Sequence, residues 1–403
     1  MLKFIIPTLA VLILVIVSVK FGRPQIQDAV DFRFLTIECS VYDVSGKILY
    51  TKNDTGCAFG PGGEVLTMDP KLFDRRDVEI ASGNFLTHHM IKYSNDGKSL
   101  LFVEAENTDF RGEQVKSDCF SRRDFDFKLQ KQWCLKDHIE EMRQLGFEFN
   151  PTKTDNWETR YKSLAGMEIS HANSIHEIPD NSAAAKHPAF QKGNYLINVY
   201  GPSGALLIVD SEMKKILWST NMNAFVWNQP FDLEGFKIAG QSEGNRLILR
   251  LLNHDDQVLP DGKILTYATL FVTKGPGFFE NYLPFLKGLS SEQELPDAYR
   301  KRTLIIKWDP IVENSIPHIL FQSRDTKSLK VPSGGQVAVL KNGNLFIVDS
   351  GDEGSKILVT SQNDKILWTF PFPSGDSAGT PRFLHGKPLY DDGFIKSRGL
   401  SIE

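Results

Sequence analysis

From residue 36 onward the apolar positions fall into short runs separated by Gly, Asn and Asp. Residues 99–103 (Ser-Leu-Leu-Phe-Val), 195–199, 246–249 and 344–348 are examples. Runs of this length, partly β-branched or aromatic and bounded by turn formers, predict strands. One stretch has the other period: Leu135, Ile139, Met142 and Leu145 recur at helical spacing and Gly146 follows as a stop, which predicts a surface helical insertion over 136–145. Residues 289–300, rich in Ser, Glu and Gln, predict a second one. Before residue 24 the pattern differs in kind. Met1-Leu2-Lys3 precedes an apolar run from Phe4 to Val19, closed by Lys20 and Arg23. The run is a little short of the ~20 residues of a membrane span, yet Val17-Ser18-Val19-Lys20 fits a small-x-small cleavage site poorly. These features predict an uncleaved signal-anchor or transmembrane segment over 1–23, a linker over 24–35 and one all-β body over 36–403.

The body repeats itself. The turn dipeptides Asp96-Gly97, Asp261-Gly262 and Asn342-Gly343 each stand between two candidate strands. Seven residues before each lie His89, His254 and Gly335, and Asn173 lies seven before Asp180, so the four anchors are spaced 84, 81 and 81 apart. A second element recurs downstream as Lys214-Lys215-Ile216-Leu217-Trp218, Lys365-Ile366-Leu367-Trp368 and the weaker Lys131-Gln132-Trp133. Its earlier relative, Gly46-Lys47-Ile48-Leu49-Tyr50, has no anchor strand before it. This pattern predicts a β-propeller whose N-terminal segment supplies outer strands to the blade that the C-terminus completes. A spacing near 81 exceeds the usual ~40–50 residues of a blade, so the intervals hold insertions or an extra blade.

Composition narrows the function. The net charge of −4 and the absence of a Lys/Arg block exclude a nucleic-acid groove. No Gly-x-x-x-x-Gly-Lys-[Ser/Thr] loop is present to hold a nucleotide. The four cysteines form an even set, and in an exported chain Cys39 can pair with Cys57 and Cys119 with Cys134; four buried thiols are the other reading.

In a propeller the first strand of each blade lines the central channel, so equivalent positions of different repeats meet at the axis. The aligned residues are His89, the pair His171 and Asn173, and His254. By strand alternation His176 faces away from the pair, and His88 is an outward partner of His89. Trp218 and Trp368 are read as blade-packing residues.

His171-Ala172-Asn173-Ser174-Ile175, followed by residues 194–199, Leu206-Leu207-Ile208-Val209-Asp210 and Ile216-Leu217-Trp218, resembles the His-x-Asn-Ser blade of the arylsulfotransferases (arylsulfate sulfotransferases). Asn253-His254-Asp255-Asp256, with Leu259-Pro260-Asp261-Gly262, is similar to the Gln-His-Asp blade that follows it. Residues 337–347, and Thr87-His88-His89 with Asp96-Gly97, resemble two further blades. The resemblance spans about residues 40 to 372. It implies a six-bladed propeller, periplasmic and anchored by its N-terminus, that moves a sulfuryl group from an aryl sulfate to a phenolic acceptor by ping-pong chemistry. It implies His254 as the nucleophile that becomes sulfated, with His89, His171 and Asn173 binding the sulfuryl oxygens and assisting the departing phenolate, and no cofactor. A neutral imidazole is a competent nucleophile for such a step. At one point the chain departs from the family: an arginine expected after the His-x-Asn-Ser strand falls near Val199-Tyr200-Gly201, where Tyr200 offers the substrate one hydrogen bond and no charge. Lys186, Lys192 and Arg246 are the other cations that could replace it from another position.

Two other classes fit the same residues. One is a non-catalytic, membrane-anchored propeller that binds a ligand or a protein, favoured by the missing arginine. The other is a hydrolase holding one metal ion between His89, His171 and His254.

Overall fold

Strand pairing in the computed structural model resolves into six four-stranded antiparallel units, the third carrying two extra short strands. Residues 29–54, 56–153, 164, 166–201, 204–222, 232–233, 236–237, 247–274, 299–312, 315, 317–323, 335–351, 354–370, 386–390 and 393–400 are described, of which 152–153, 200–201, 232–233, 236–237, 247–252, 270–274, 299–302, 350–351 and 354–355 by backbone alone. The units follow one another along the chain as blades one (34–51), two (57–82), three (86–134), four (171–221), five (247–322) and six (335–369). Each adjoining pair of blades buries one apolar cluster, and the six clusters make a closed ring. Trp133, Trp218 and Trp368 lie in these clusters, as blade-packing residues should, with Trp218 5.6 Å from the Phe190 ring and Trp368 6.1 Å from Phe32. The chain is an all-β, six-bladed propeller.

Closure uses both ends of the chain. The inner strand of blade one is Gly386–Leu389, which pairs antiparallel with Phe34–Ile37; the outermost is Ile48–Thr51, the expected relative of the repeated Lys-Ile-Leu-Trp element. A C-terminal strand paired with an N-terminal one joins the two chain ends in one blade and closes the ring.

The turn dipeptides sit where the pattern placed them, between the first and second strands of blades three, five and six. Gly97, Gly262 and Gly343 there adopt φ of +66°, +79° and +84°, a region open to glycine without a Cβ clash. The four anchors lie on consecutive blades three to six, so the long spacing reflects insertions and long strands, not an extra blade. The first insertion contains the predicted helix as a 3₁₀ turn, Leu135–His138, running into an α-helix, Ile139–Gln144, with Leu135 and Met142 buried against Trp133. In the second predicted helical stretch, residues 289–298 lie outside the described residues and Tyr299 begins a strand, Tyr299–Trp308. Cys39 is bonded to Cys57 and Cys119 to Cys134. The first disulfide joins blade one to blade two, and the second ties two neighbouring strands of blade three.

The segment read as a membrane anchor, 1–23, and residues 24–28 of the linker lie outside the described residues; the rest of the expected linker belongs to the body, with Ala29, Val30 and Phe32 buried between blades six and one and Phe34 opening the strand Phe34–Ile37. No helix among the described residues is long and apolar enough to cross a membrane.

Candidate functional site

Three of the four anchor positions are breaks in their inner strands, and the fourth, Gly335, pairs in register with Asp349. In Leu86–Tyr93 the pairing runs from Thr87 opposite Glu104 to Ile91 opposite Phe102, which leaves His88, His89 and Met90 outside the ladder, with φ of +56° at His89. In His171–Glu177 the register shifts on both sides of Ala172 and passes over Asn173; in Leu247–Val258 it passes over His254. Gly335, the fourth anchor, has φ of +153°, and a Cβ there would stand 2.1 Å from the Val348 carbonyl oxygen and 2.5 Å from the Tyr267 ring. A bulge adds a residue and so reverses the inward–outward alternation beyond it.

That reversal corrects one expectation: His176, expected to face away, lines the central channel. His88, read as the outward partner of His89, is not among the channel-lining residues; it is buried inside the blade, 2% exposed, and bonds Asp118 through Nε2 at 2.9 Å and His89 through Nδ1 at 2.6 Å.

The channel has a volume of about 260 Å³ and is walled by all six blades. Thr36 and Lys387 come from blade one, Cys57 and Ala58 from blade two, His89 and Lys92 from blade three, His176 from blade four, Asp255 and Gln257 from blade five, and Gln336 and Val337 from blade six. Burial and the nearby charge of Lys387 push the Lys92 ammonium down to about 8, and burial also lowers Lys387. Among the described residues neither lysine has a carboxylate within 4.0 Å. His176, kept neutral by burial and by Lys92, lies 2.7 Å from Asp255 through Nε2. Burial works against ionisation of Asp255, but His176 and the Val337 N–H hold its carboxyl below the usual range.

The predicted site residues divide. His89 and His171 meet, Nε2 to Nε2 at 3.2 Å with ring centroids 4.7 Å apart, and His89 also lines the channel. His171 Nδ1 lies 3.2 Å from Glu168, which the short strand Met167–Glu168 brings beside Lys116. Asn173 is buried one blade boundary away, donating from Nδ2 to the Asn253 carbonyl at 3.1 Å, with no partner for its Oδ1 among the described residues. His254 sits at the bulge beside it and presents its ring to Tyr267 at 6.2 Å; it is not among the channel-lining residues. The three imidazoles expected around one metal do not bring single ligand atoms within 4.8 Å of one another. Among the described residues only Glu106, Cys119 and Cys134 do so, and those two sulfurs are joined to each other. Tyr200 belongs to the strand Tyr195–Gly201, but its side chain lies outside the described residues, as does Arg246. Lys192 pairs with Asp180 at the surface, at 2.7 Å, so it does not replace the family arginine in the channel.

Lys92, Lys387, Gln257 and Gln336 were not legible as site residues. Lys92 stands three positions after His89, on the wrong face for an unbroken strand, and Lys387 reaches the axis only through ring closure. Their placement depends on the bulges at His89, Asn173 and His254 and on ring closure, which nothing in residue spacing discloses.

No known family model matches the chain, and no curated protein does. Solved structures with a similar arrangement include BamB from Moraxella catarrhalis, at 9% identity and TM-score 0.34 over 83% of this chain and 84% of that one. A eukaryotic initiation factor aligns at 7% identity and TM-score 0.28 over 88% and 97%, and apo prolyl oligopeptidase B from Galerina marginata at 9% and 0.27 over 85% and 45%.

Proposed function

We propose that the central channel is the working site and that it takes a small oxyanion, with aryl sulfate esters as the first class to test. The carrying observation is the pair Lys92 and Lys387. Two ammonium groups from different parts of the chain face one cavity with no carboxylate in contact among the described residues. Like charges repel in a narrow channel, and the Asp255 carboxylate on its wall is taken up by His176 and the Val337 N–H, so an anionic ligand would supply the counter-charge in contact. The lysines then take over the charge of the absent family arginine, as point charges without its bidentate geometry. Gln336, whose Oε1 accepts the Gly386 N–H, adds a neutral amide donor, while the Gln257 amide is engaged with Asp255 and the Val337 carbonyl.

In its catalytic form this reading is the sulfuryl transfer that the arylsulfotransferase resemblance implies. An imidazole nitrogen attacks sulfur, the bond to the aryl oxygen breaks and phenolate leaves; the acceptor phenol then takes the group and restores the imidazole, so no co-reactant is needed. His254 is the nucleophile assigned by the resemblance; it does not itself line the channel, so transfer requires the sulfur of the bound ester to reach the blade-five bulge beside Asp255. Both nitrogens of His89, and both of His176, already meet other side chains. In its non-catalytic form the propeller binds the anion and passes it on unchanged. The apolar segment 1–23 would anchor either form to a membrane with the propeller on the extracytoplasmic side, a setting in which two disulfides persist.

The test is incubation with 4-nitrophenyl sulfate and a phenol, beside calorimetric titration with the same ester. Phenol release that disappears in His254→Ala supports transfer; binding without release supports the binding form. Absence of both in the folded wild-type chain rejects the reading.

A further inference from the structure

Six side chains beside the channel close into a ring of contacts. Asp118 Oδ1 lies 2.9 Å from His88 Nε2, His88 Nδ1 lies 2.6 Å from His89 Nδ1, His89 Nε2 lies 3.2 Å from His171 Nε2, and His171 Nδ1 lies 3.2 Å from Glu168 Oε1. Lys116 completes the circuit, 3.0 Å from Asp118 and 3.2 Å from Glu168. The second oxygen of Asp118 accepts the Ala172 N–H at 2.8 Å, which ties the ring to the bulge of blade four.

Counting protons around this ring gives its charge. Each of the four contacts made by imidazole nitrogens needs one proton between its two atoms, because facing lone pairs repel. Three neutral imidazoles bring three. The fourth must sit on a carboxyl group or on the imidazole chain. Lys116 touches both carboxylates, and although burial works against their ionisation, both are held below their ordinary range, Asp118 by Lys116 and His88 and Glu168 by His171 and Lys116. Charge balance agrees: two carboxylates against one ammonium leave the buried ring one positive charge short, and an unbalanced buried charge is strongly disfavoured. His88 is the poorest carrier, since burial and Lys116 both lower its basicity.

We propose that His88, His89 and His171 share one proton beyond their neutral complement, and that His89, the member lining the channel, presents this positive charge to the bound anion. The proposal rests on the channel reading above and adds a third cationic group to Lys92 and Lys387. Both nitrogens of His89 are committed within the ring, so it acts on the ligand through charge and not through an N–H bond. The other titratable groups of the same wall are Glu38, His176 and Asp255. Two lysines and an imidazolium suit a group whose charge is spread over several oxygens, such as sulfate or a sulfate ester, better than a monocarboxylate.

The experiment is nitrogen NMR on protein labelled with ¹⁵N-histidine, with inorganic sulfate titrated by calorimetry. Among nine histidines, one imidazolium pattern is expected at pH 7.5. It should vanish in His89→Gln and titrate away at lower pH in Glu168→Gln, which removes one of the balancing carboxylates. Sulfate affinity should fall by about tenfold in His89→Gln, the loss expected for one nearby charge. Absence of any imidazolium at pH 7.5 in the wild type overturns the proposal, as does a signal unchanged in His89→Gln. An intact imidazolium in a protein that binds no sulfate overturns the channel reading and the ligand role of His89, while leaving the charge of the ring established.

Discussion

The Lys92 ammonium lies 3.1 Å from Nδ1 of His176, so neighbouring blades meet as donor and acceptor on the channel wall. The imidazole must then carry its proton on Nε2, which donates to Asp255 at 2.7 Å, and the other oxygen of Asp255 accepts the Val337 N–H at 3.3 Å. One hydrogen-bonded line thus crosses blades three, four, five and six and fixes the tautomer of the imidazole at its centre.

The charge of Lys92 sets a pH dependence with two opposite signs. Its folded value of about 8 lies below its ordinary 10.5, so between these values the unfolded chain holds more protons and stability rises with pH. Sulfate affinity should do the reverse, flat below about 8 and falling above it as the ammonium is lost. Calorimetry from pH 7 to 9.5 checks the affinity, and urea melts over the same range check the stability. Both trends should weaken in Lys92→Met, leaving the share that Lys387 contributes, and an affinity that rises through this window would remove Lys92 from the site.

Asp256 predicts a second slope at lower pH. Burial pushes its carboxyl up to about 7 even though Thr266, Asn253 and Asn198 donate to it, at 2.6, 2.9 and 2.6 Å. The folded state therefore holds the extra proton between about 4 and 7, and stability should decline across that interval as the group is forced to ionise. Asp256→Asn keeps the volume and cannot ionise. Its stability should be flat where the wild type declines, read as urea midpoints at pH 5, 6, 7 and 8.

The sequence disclosed the parts of this molecule that local chemistry determines. Asp96-Gly97, Asp261-Gly262 and Asn342-Gly343 can be read as turns because glycine takes their positive-φ backbone without a Cβ penalty, and Cys119 with Cys134 because the two face each other on neighbouring strands close in sequence. The anchor histidines were found as a repeat, but their directions were not. Alternation assumes an unbroken ladder, and the bulges at His89, Asn173 and His254 break it at the residues that mattered. His176 therefore faces the channel instead of away from it. Lys387 was beyond reach for another reason: its place at the axis depends on pairing with a strand some 350 residues earlier, a contact that leaves no local trace.

The disulfides should carry a measurable share of stability. Cys119 and Cys134 are 15 residues apart and Cys39 and Cys57 are 18 apart. Loops of this size restrict the unfolded chain by about 3 kcal/mol each on the chain-entropy account. Replacing both members of one pair by Ser should lower the unfolding free energy by roughly that amount, with mass spectrometry of the unreduced wild type showing no free thiol. Loss of the Cys39–Cys57 bond should also loosen the channel, because Cys57 lines it, and so weaken sulfate binding more than loss of Cys119–Cys134 does.

Gly335 is the anchor of blade six, and it tolerates no side chain. A Cβ would meet the Val348 carbonyl oxygen and the Tyr267 ring, whose hydroxyl donates to Asp349 at 3.2 Å. Gly335→Ala combines that clash with an unfavourable φ, so the expected cost is ~3 kcal/mol or more. Gly97→Ala, in an open turn with no atom within 4 Å of the added Cβ, meets only the backbone penalty and should cost ~1 kcal/mol. Equal losses for the two variants in denaturant melts would contradict the close approach at blade six.

Ring closure depends on a short segment after residue 385, and its removal should be felt across the propeller. Gly386–Leu389 fills the inner position of blade one, and the following helix, Gly393–Ser397, sets Phe394 between Tyr50 and Phe59 with centroids at 5.5 and 5.0 Å. Arg398 then fastens blade two, donating to the Gly63 carbonyl at 2.8 Å and pairing with Asp77 at 3.0 Å. A chain ending at residue 385 would expose the edge of Phe34–Ile37, four buried residues in a row, and a bare apolar edge strand pairs with other chains. The truncated protein should aggregate on refolding and lose sulfate binding, since Lys387 goes with the deleted segment. Arg398→Ala separates these effects: it weakens the clasp between blades one and two without touching the inner strand, so it should lower the melting temperature while sulfate affinity stays within about twofold of the wild type. Sulfate binding lost in Arg398→Ala while the fold persists would mean that the clasp, and not the inner strand, shapes the channel.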